Sequence, residues 1–228
     1  MIKLKLNHRT YKLPKRYTVS QWKEVVRMDM EDPDNWPKIL GIALNKHWYT
    51  FAKVEEDSLI LGASLVISEM AKRRKCKHKD FTKISLGQFV DLDIAMINGM
   101  EKNIDTLLGE LTISEVEYID EALYIIDEYA NFRISTYRSY AGLFGINQKT
   151  GKQEDVDPEE YDANKIAKGW YKVLVDLADN DIMKLDQVTE QPLYKALTFM
   201  SLRKERMLEE QQRQLKQKRQ HELSRNRK

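Results

Sequence analysis

Ser114-Glu-Val-Glu-Tyr-Ile-Asp-Glu-Ala-Leu-Tyr-Ile-Ile-Asp-Glu-Tyr-Ala130 decides the fold class of this 228-residue chain. Val116, Ile119, Leu123, Ile126 and Ala130 recur at steps of three and four, the period of one helix face. Glu115, Glu117 and Asp120 stand near the positive end of that helix, and Ser114 has the chemistry of its N-cap. The pattern predicts an amphipathic helix from Ser114 to about Tyr137, its acids opposite the apolar stripe.

Similar patterns flank it. Thr18-Val-Ser-Gln21 and Ser85-Leu-Gly-Gln88 both have capping-box form. The first predicts a helix through Trp22 and Val25 that ends near Glu31-Asp32-Pro33. The second opens a helix through Phe89, Leu92 and Met96, stopped by Asn98-Gly99. Asn35 with Pro37 predicts a short helix burying Ile39, Leu40, Ala43 and Leu44. Leu59 to Ile67 is apolar on most sides and reads as a buried helix, with a strand as the alternative because periodicity alone does not decide a short apolar run. Further helices are expected over 101–111 and from Ala163 to Ala178, the latter with Ile166, Trp170, Val173, Leu174 and Leu177 on one face. Between them, residues 145–164 are polar, acidic and aperiodic, which predicts an exposed loop. Thr189 is the expected cap of a last helix with Pro192 in its first turn.

Strand-like alternation occurs once, at the N-terminus. Ile2-Lys-Leu-Lys-Leu6 and Thr10-Tyr-Lys-Leu13 flank Asn7-His-Arg9, a hairpin that must pack on something to be stable. The expected organisation is a mainly α helical bundle: a hairpin over 1–17, a helical body over 18–202 and a charged helical tail over 203–228. With no Gly or Pro after Pro192, the last helix is free to run to the end. Leu193 to Met207 should belong to the core, while the rest carries too little apolar surface to be stable alone.

The formal net charge of +2 conceals an asymmetry. Residues 91–130 hold eleven acids against Lys102, and residues 203–228 hold ten Lys and Arg against four Glu. Such asymmetry predicts electrostatic pairing, and the acidic segment is an internal candidate to receive the tail. Cys76 is the single cysteine, so neither an intrachain disulfide nor a cysteine-built zinc site can form. One cysteine, no leader-like segment and no run of ~18–20 apolar residues predict a soluble, non-secreted chain.

Catalytic constellations are not apparent. His8, His47, His78 and His221 lie far apart, and no phosphate-binding glycine loop occurs. Asp155 to Glu160 lacks the alternating ligands and central Gly of a calcium loop. Lys72, Arg73, Arg74, Lys75, Lys77 and Lys79 surround Cys76 in sequence and should favour its thiolate, but nothing nearby supplies a base or oxyanion donors. The expectation is a chain that is not an enzyme and takes no cofactor. The same basic cluster and the tail could meet nucleic-acid phosphates. Because the cluster lacks interleaved aromatics and the tail carries glutamates, a solvated or internally paired surface is the reading favoured over nucleic acid. Candidate partner-binding residues are the aromatics Trp48, Tyr49 and Phe51, weighed against core packing, and Met207, Leu208 and Leu215 on the tail.

Thr82-Lys-Ile-Ser-Leu-Gly-Gln-Phe-Val-Asp-Leu-Asp93 resembles an element of helical morphogenesis proteins of tailed bacteriophages. Leu177 to Leu193, followed by a charged helix, is similar to the C-terminal part of such proteins, and the hairpin ending in Tyr17-Thr-Val-Ser-Gln-Trp22 also fits. Tail assembly chaperones and small baseplate or neck components are the nearest groups. The resemblance covers roughly a fifth of the chain, and no functional residue carries over. It implies a non-enzymatic role: an assembly factor in the host cytoplasm that holds structural tail proteins, or a component of the virion. Self-association is compatible with either.

Overall fold

A computed structural model describes residues 2–144 and 163–225. It is mainly helical, with a small N-terminal sheet and a long final helix. The strands are β1 (Lys3–Leu6) and β2 (Arg9–Lys12). The helices are α1 (Val19–Val26), α2 (Trp36–Leu44), α3 (Glu56–Met70), α4 (Leu86–Ile97), α5 (Met100–Leu111), α6 (Ile119–Ser139), α7 (Ala141–Phe144), α8 (Ala163–Leu177), α9 (Leu185–Thr189) and α10 (Leu193–Arg225). Most of the segment expected as a loop at 145–164 lies outside the described residues. No helix among the described residues is long and apolar enough to cross a membrane.

The chain forms two compact units, Met1–Lys79 with Ala95–Ala130, and Asp80–Ile94 with Asn131–Lys228. The expected hairpin belongs to the first unit and the expected charged tail to the second.

In the first unit β1 and β2 pair antiparallel, Lys3 opposite Lys12 and Leu4 opposite Tyr11. Asn7 turns the hairpin at φ 51°, a left-handed conformation its short polar side chain tolerates. Leu4, Leu6 and Leu13 are buried, so the alternation has one dry and one wet face. The Thr18 capping box forms as expected: Thr18 Oγ1 accepts from the Gln21 amide at 3.1 Å and Gln21 Oε1 accepts from the Thr18 amide at 3.0 Å. Helix α1 is shorter than expected. It ends at Val26, and Asp32 then caps a separate 3-10 turn, Pro33–Asn35. Asn35 does not cap α2; its Nδ2 donates to the Asp29 carbonyl at 3.0 Å. Helix α3 is not buried all round: Leu59, Ala63, Val66 and Met70 face inward, whereas Ile60 and Leu61 are exposed. Gly99, at φ 98°, lets the chain turn sharply from α4 into α5.

The deciding stretch is helical, but later than expected. Among the described residues Ser114 makes no capping hydrogen bond, and the helix starts only after Glu117 to Ile119 bridge to the start of α1 around Thr18 and Tyr118. The Val19 amide donates to the Glu117 carbonyl at 3.0 Å and the Ile119 amide to the Tyr17 carbonyl at 2.9 Å. Within the first turn of α6, Asp120 Oδ1 accepts from the Glu121 amide at 2.9 Å.

The second unit is built on an aromatic core. Phe89 meets Trp170 edge-on at 6.0 Å, and Phe144 packs against Tyr137 at 4.4 Å and Trp170 at 5.9 Å. The Ser85 capping box is present, with Ser85 Oγ and Gln88 Oε1 each accepting the other residue's amide. A short bridge links the starts of α4 and α10: the Leu86 amide donates to the Gln191 carbonyl at 2.8 Å and the Leu193 amide to the Ile84 carbonyl at 3.1 Å. A Cβ at Gly87 would lie 2.8 Å from Thr189 Cβ, so this approach requires glycine. Thr189 does not cap α10. Its hydroxyl donates to the Asp186 carbonyl at 2.9 Å, and Pro192 lies just before the helix.

Candidate functional site

Helix α10 changes character along its length. Leu193, Ala196, Leu197 and Met200 are buried, so the helix joins the core through Met200, seven residues short of the expected limit at Met207. Two last anchors follow: Arg203 donates to the Asp176 carbonyl at 3.0 Å, and Lys204 Nζ donates to the Gly142 and Leu143 carbonyls at 2.8 and 3.1 Å. From Glu205 to Gln220 every residue is exposed. Met207, Leu208 and Leu215 are 55%, 49% and 56% exposed. They are not randomly placed. Leu193, Leu197, Met200, Lys204, Leu208 and Leu215 follow at three-, four- and seven-residue steps, so the stripe that packs inside the unit continues into solvent. Residues 205–220 make no ion pair among the described residues; acids of the 91–130 segment pair with Arg16, Lys23, Arg73 and Arg133.

The basic cluster at 72–79 is an extended segment with partners. Arg73 pairs with Asp127, and Lys72 with Glu69 at 2.6 Å. The Arg74 amide donates to the Asp120 carbonyl at 2.9 Å, and the Lys79 amide to the Leu111 carbonyl at 3.0 Å. Lys75 and Lys77 are exposed and make no ion pair among the described residues. Cys76 overturns the thiolate expectation. Its Sγ–H points to the Glu121 carbonyl at 3.6 Å, and burial followed by the nearby Glu121 and Asp120 carboxylates pushes the thiol pKa up. The cations are its neighbours in sequence, but these carboxylates are its neighbours in space.

The aromatic cluster divides. Phe51 is fully buried, its ring 5.3 Å from that of Tyr11, so a partner cannot reach it. Trp36 is buried too, its Nε1 donating to the Met30 carbonyl at 2.8 Å. Trp48 and Tyr49 are 55% and 62% exposed. His47 and Tyr49 stack at 5.0 Å with 7° between their planes, and Trp48 meets Tyr49 edge-on at 6.3 Å.

One site was missed by reasoning from sequence. Asp93, counted there among the eleven acids of the 91–130 segment, is 0% exposed. It accepts from Arg133 Nε, from Tyr137 Oη at 2.8 Å and from Trp170 Nε1 at 2.9 Å. Burial, followed by the Asp93 carboxylate, raises the Tyr137 pKa far above the ordinary value and keeps its hydroxyl a donor. The signal was available: Asp93 lies four residues after Phe89 and seven after Leu86, on the face of α4 that goes inside. A carboxylate there requires donors, and Arg133 and Tyr137 stand one turn apart on α6. The arrangement ties α4, α6 and α8 together and leaves the carboxylate out of reach of a substrate.

A groove of about 650 Å³ runs beside the start of α1, lined by Thr18, Ser20, Lys23, Asp105, Glu115 and Glu117 among others, with Lys23 and Asp105 ion-paired. Among the described residues no group of three or more His, Cys, Asp or Glu is placed to hold a metal ion. Comparison of the chain with protein-family models, curated proteins and solved structures gave no match.

Proposed function

We propose that this chain is a non-enzymatic assembly factor of a tailed bacteriophage. It binds structural tail proteins during morphogenesis, with residues 205–220 of α10 as its docking element. The observation that carries this reading is the continuation of the α10 stripe into solvent. Sixteen residues of helix extend ~24 Å at 1.5 Å per residue. Such a run has too little apolar surface to be stable without support, yet α10 is anchored through Lys204 and contains no breaker. Anchoring at one end supplies the costly nucleus, so the exposed part is offered to a partner already helical. An amphipathic helix of this kind recognises a groove, with Met207, Leu208 and Leu215 as anchors and the flanking Lys and Arg meeting an acidic rim. The chemistry of the candidate groups supports the non-enzymatic part: Asp93 is buried under three donors and the Cys76 thiol is held toward its protonated form.

Co-expression with the tail proteins of the same genome tests this. Full-length chain is expected to co-purify with one of them, and residues 1–204 to lose that partner by tenfold or more. Leu208→Glu with Leu215→Glu should behave like the truncation, because neither side chain is buried. Equal capture by full-length chain and 1–204 would remove α10 as the docking element. Mass spectrometry of purified particles separates an assembly factor, absent from them, from a virion component present in stoichiometric amount.

A further inference from the structure

Along the open part of α10 the charges are sorted by face. Arg206, Glu210 and Arg213 recur at steps of four and three and alternate in sign, the pattern of a solvated helix surface that supports itself. Beside the apolar stripe the order differs. Glu205, Glu209, Gln212, Lys216 and Arg219 also recur at steps of four and three, so they form one row flanking Leu208 and Leu215. In that row both acids come first, a neutral residue stands at the centre and both cations come last. Within a single helix this order sets Glu205 against Glu209 four residues on and Lys216 against Arg219 three on, and like charges at such spacing are destabilising. All five side chains are exposed and make no ion pair among the described residues.

A row of two acids, a neutral residue and two cations is complementary to itself run backwards. Consider a second copy laid antiparallel, with a two-fold axis through Gln212. Glu205 then stands level with Arg219 of the second copy. Leu208 and Glu209 come within one residue, about 1.5 Å, of the levels of its Leu215 and Lys216. The axis repeats every contact, so one arrangement satisfies all four charges of both rows and pairs both leucines. A parallel pair would oppose Glu205 to Glu205 and Arg219 to Arg219.

The length agrees as well. The row spans ~22 Å of helix at 1.5 Å per residue. At its end the second copy reaches the level of Lys204 and Glu205. There the stripe is already taken, with Met200 buried and Lys204 Nζ donating to the Gly142 and Leu143 carbonyls. The complementary row therefore stops where the open stripe stops.

We propose that two copies of this chain pair antiparallel through residues 205–219 of α10. The inference rests on the reading of this helix as a docking element and names a second copy as its occupant before a structural protein arrives. Pairing covers the Leu208 and Leu215 that such a protein would take, so the two compete. An acidic rim satisfies Lys216 and Arg219 alone, whereas a second copy satisfies Glu205 and Glu209 too.

The test is sedimentation equilibrium of the full chain alone. At about 100 μM chain and ~50 mM NaCl the mass is expected to approach twice that of the monomer, and to fall toward the monomer at ~500 mM NaCl as the exposed pairs are screened. The half swaps E205K/E209K and K216E/R219E each turn all the ion pairs into like-charge pairs and should weaken association by about tenfold or more. The full swap E205K/E209K/K216E/R219E restores every pair in the antiparallel arrangement and should return association to within about threefold of the parent. An effect on the helix itself would persist in the full swap, so the return reads the pairing. The substituted side chains are all exposed, and circular dichroism checks that helix content is kept. A monomer at about 100 μM, half swaps that associate like the parent, or a full swap as weak as the half swaps would each overturn the proposal. Because the chain is tested alone, a monomeric result would leave the capture of a structural protein, read by co-purification, unaffected.

Discussion

Asp93→Ala removes the one acceptor shared by Arg133 Nε, Tyr137 Oη and Trp170 Nε1. Hydrogen bonds to a charged group contribute about 1.5–3 kcal/mol each, so three added independently would come to roughly 5–9 kcal/mol. They do not add independently. They share one carboxylate, and the Arg133 side chain is 24% exposed, so water recovers part of its loss. Removing one member of a buried ion pair costs about 3–5 kcal/mol, and we expect about 4 kcal/mol here. That is a large fraction of the ~5–15 kcal/mol that holds a typical domain. Urea unfolding followed by far-UV circular dichroism should show the transition of the second unit shifting down by about 2 M, at a slope of ~2 kcal/mol per molar urea. Hydrogen exchange should show protection lost in α8 and kept in α2. Asp93→Asn retains an acceptor oxygen without the charge and should cost about half as much. A midpoint for Asp93→Ala within ~0.3 M of the parent would refute the reasoning, because the three donors would then have been equally well served elsewhere.

Two further outcomes follow from perturbed groups in the first unit. Burial, followed by the nearby Glu69 carboxylate, pushes the Tyr17 pKa from 10.0 up to about 12. The folded chain therefore holds this proton longer than the unfolded chain, and the associated stability is whole below pH 10 and declines as pH rises toward 12, by about 2–3 kcal/mol in all. The Tyr17 hydroxyl is buried with no hydrogen-bond partner among the described residues, so Tyr17→Phe should gain about 1 kcal/mol at pH 7 and reduce the alkaline loss; urea midpoints at pH 7, 9 and 11 measure both. For Cys76, reaction with Ellman's reagent at pH 7.5 should be several-fold slower than that of a small free thiol and should accelerate as pH rises, and a faster reaction would contradict the carboxylate environment.

The parts of the fold legible in the sequence are those set by near neighbours. Thr18 with Gln21 and Ser85 with Gln88 are complete local circuits, and both capping boxes form. The hairpin follows from alternation over a dozen residues. The errors arise where distant chain intervenes. Ser114 has the right chemistry for a cap, but Tyr17 and Val19, almost a hundred residues earlier, hold the segment after it extended. The period of α10 is plain, whereas the point at which its neighbours stop covering it is not written in α10 at all. Within Trp48-Tyr-Thr-Phe51 composition could not say which ring turns inward; the 3-10 turn Trp48–Thr50 and the Tyr11 ring assign Phe51 to the core. Asp93 was hidden by being counted with its acidic neighbours instead of being placed on its helix face.

Neither unit is a continuous stretch of chain, and this governs how the protein can be made. The chain crosses between units three times, after Lys79, inside α4 and inside α6, so no single cut yields two pieces that each hold a whole unit. Phe81, Phe89 and Asp93 leave the ribosome early and then wait. Arg133 is 40 residues further on and Trp170 is 77. At ~5–20 residues per second, translation leaves this sticky segment without its last partner for several seconds. An interrupted or truncated product would display the same aromatic rings and carboxylate bare, giving proteases and chaperones a clear mark by which to distinguish unfinished chains from finished ones.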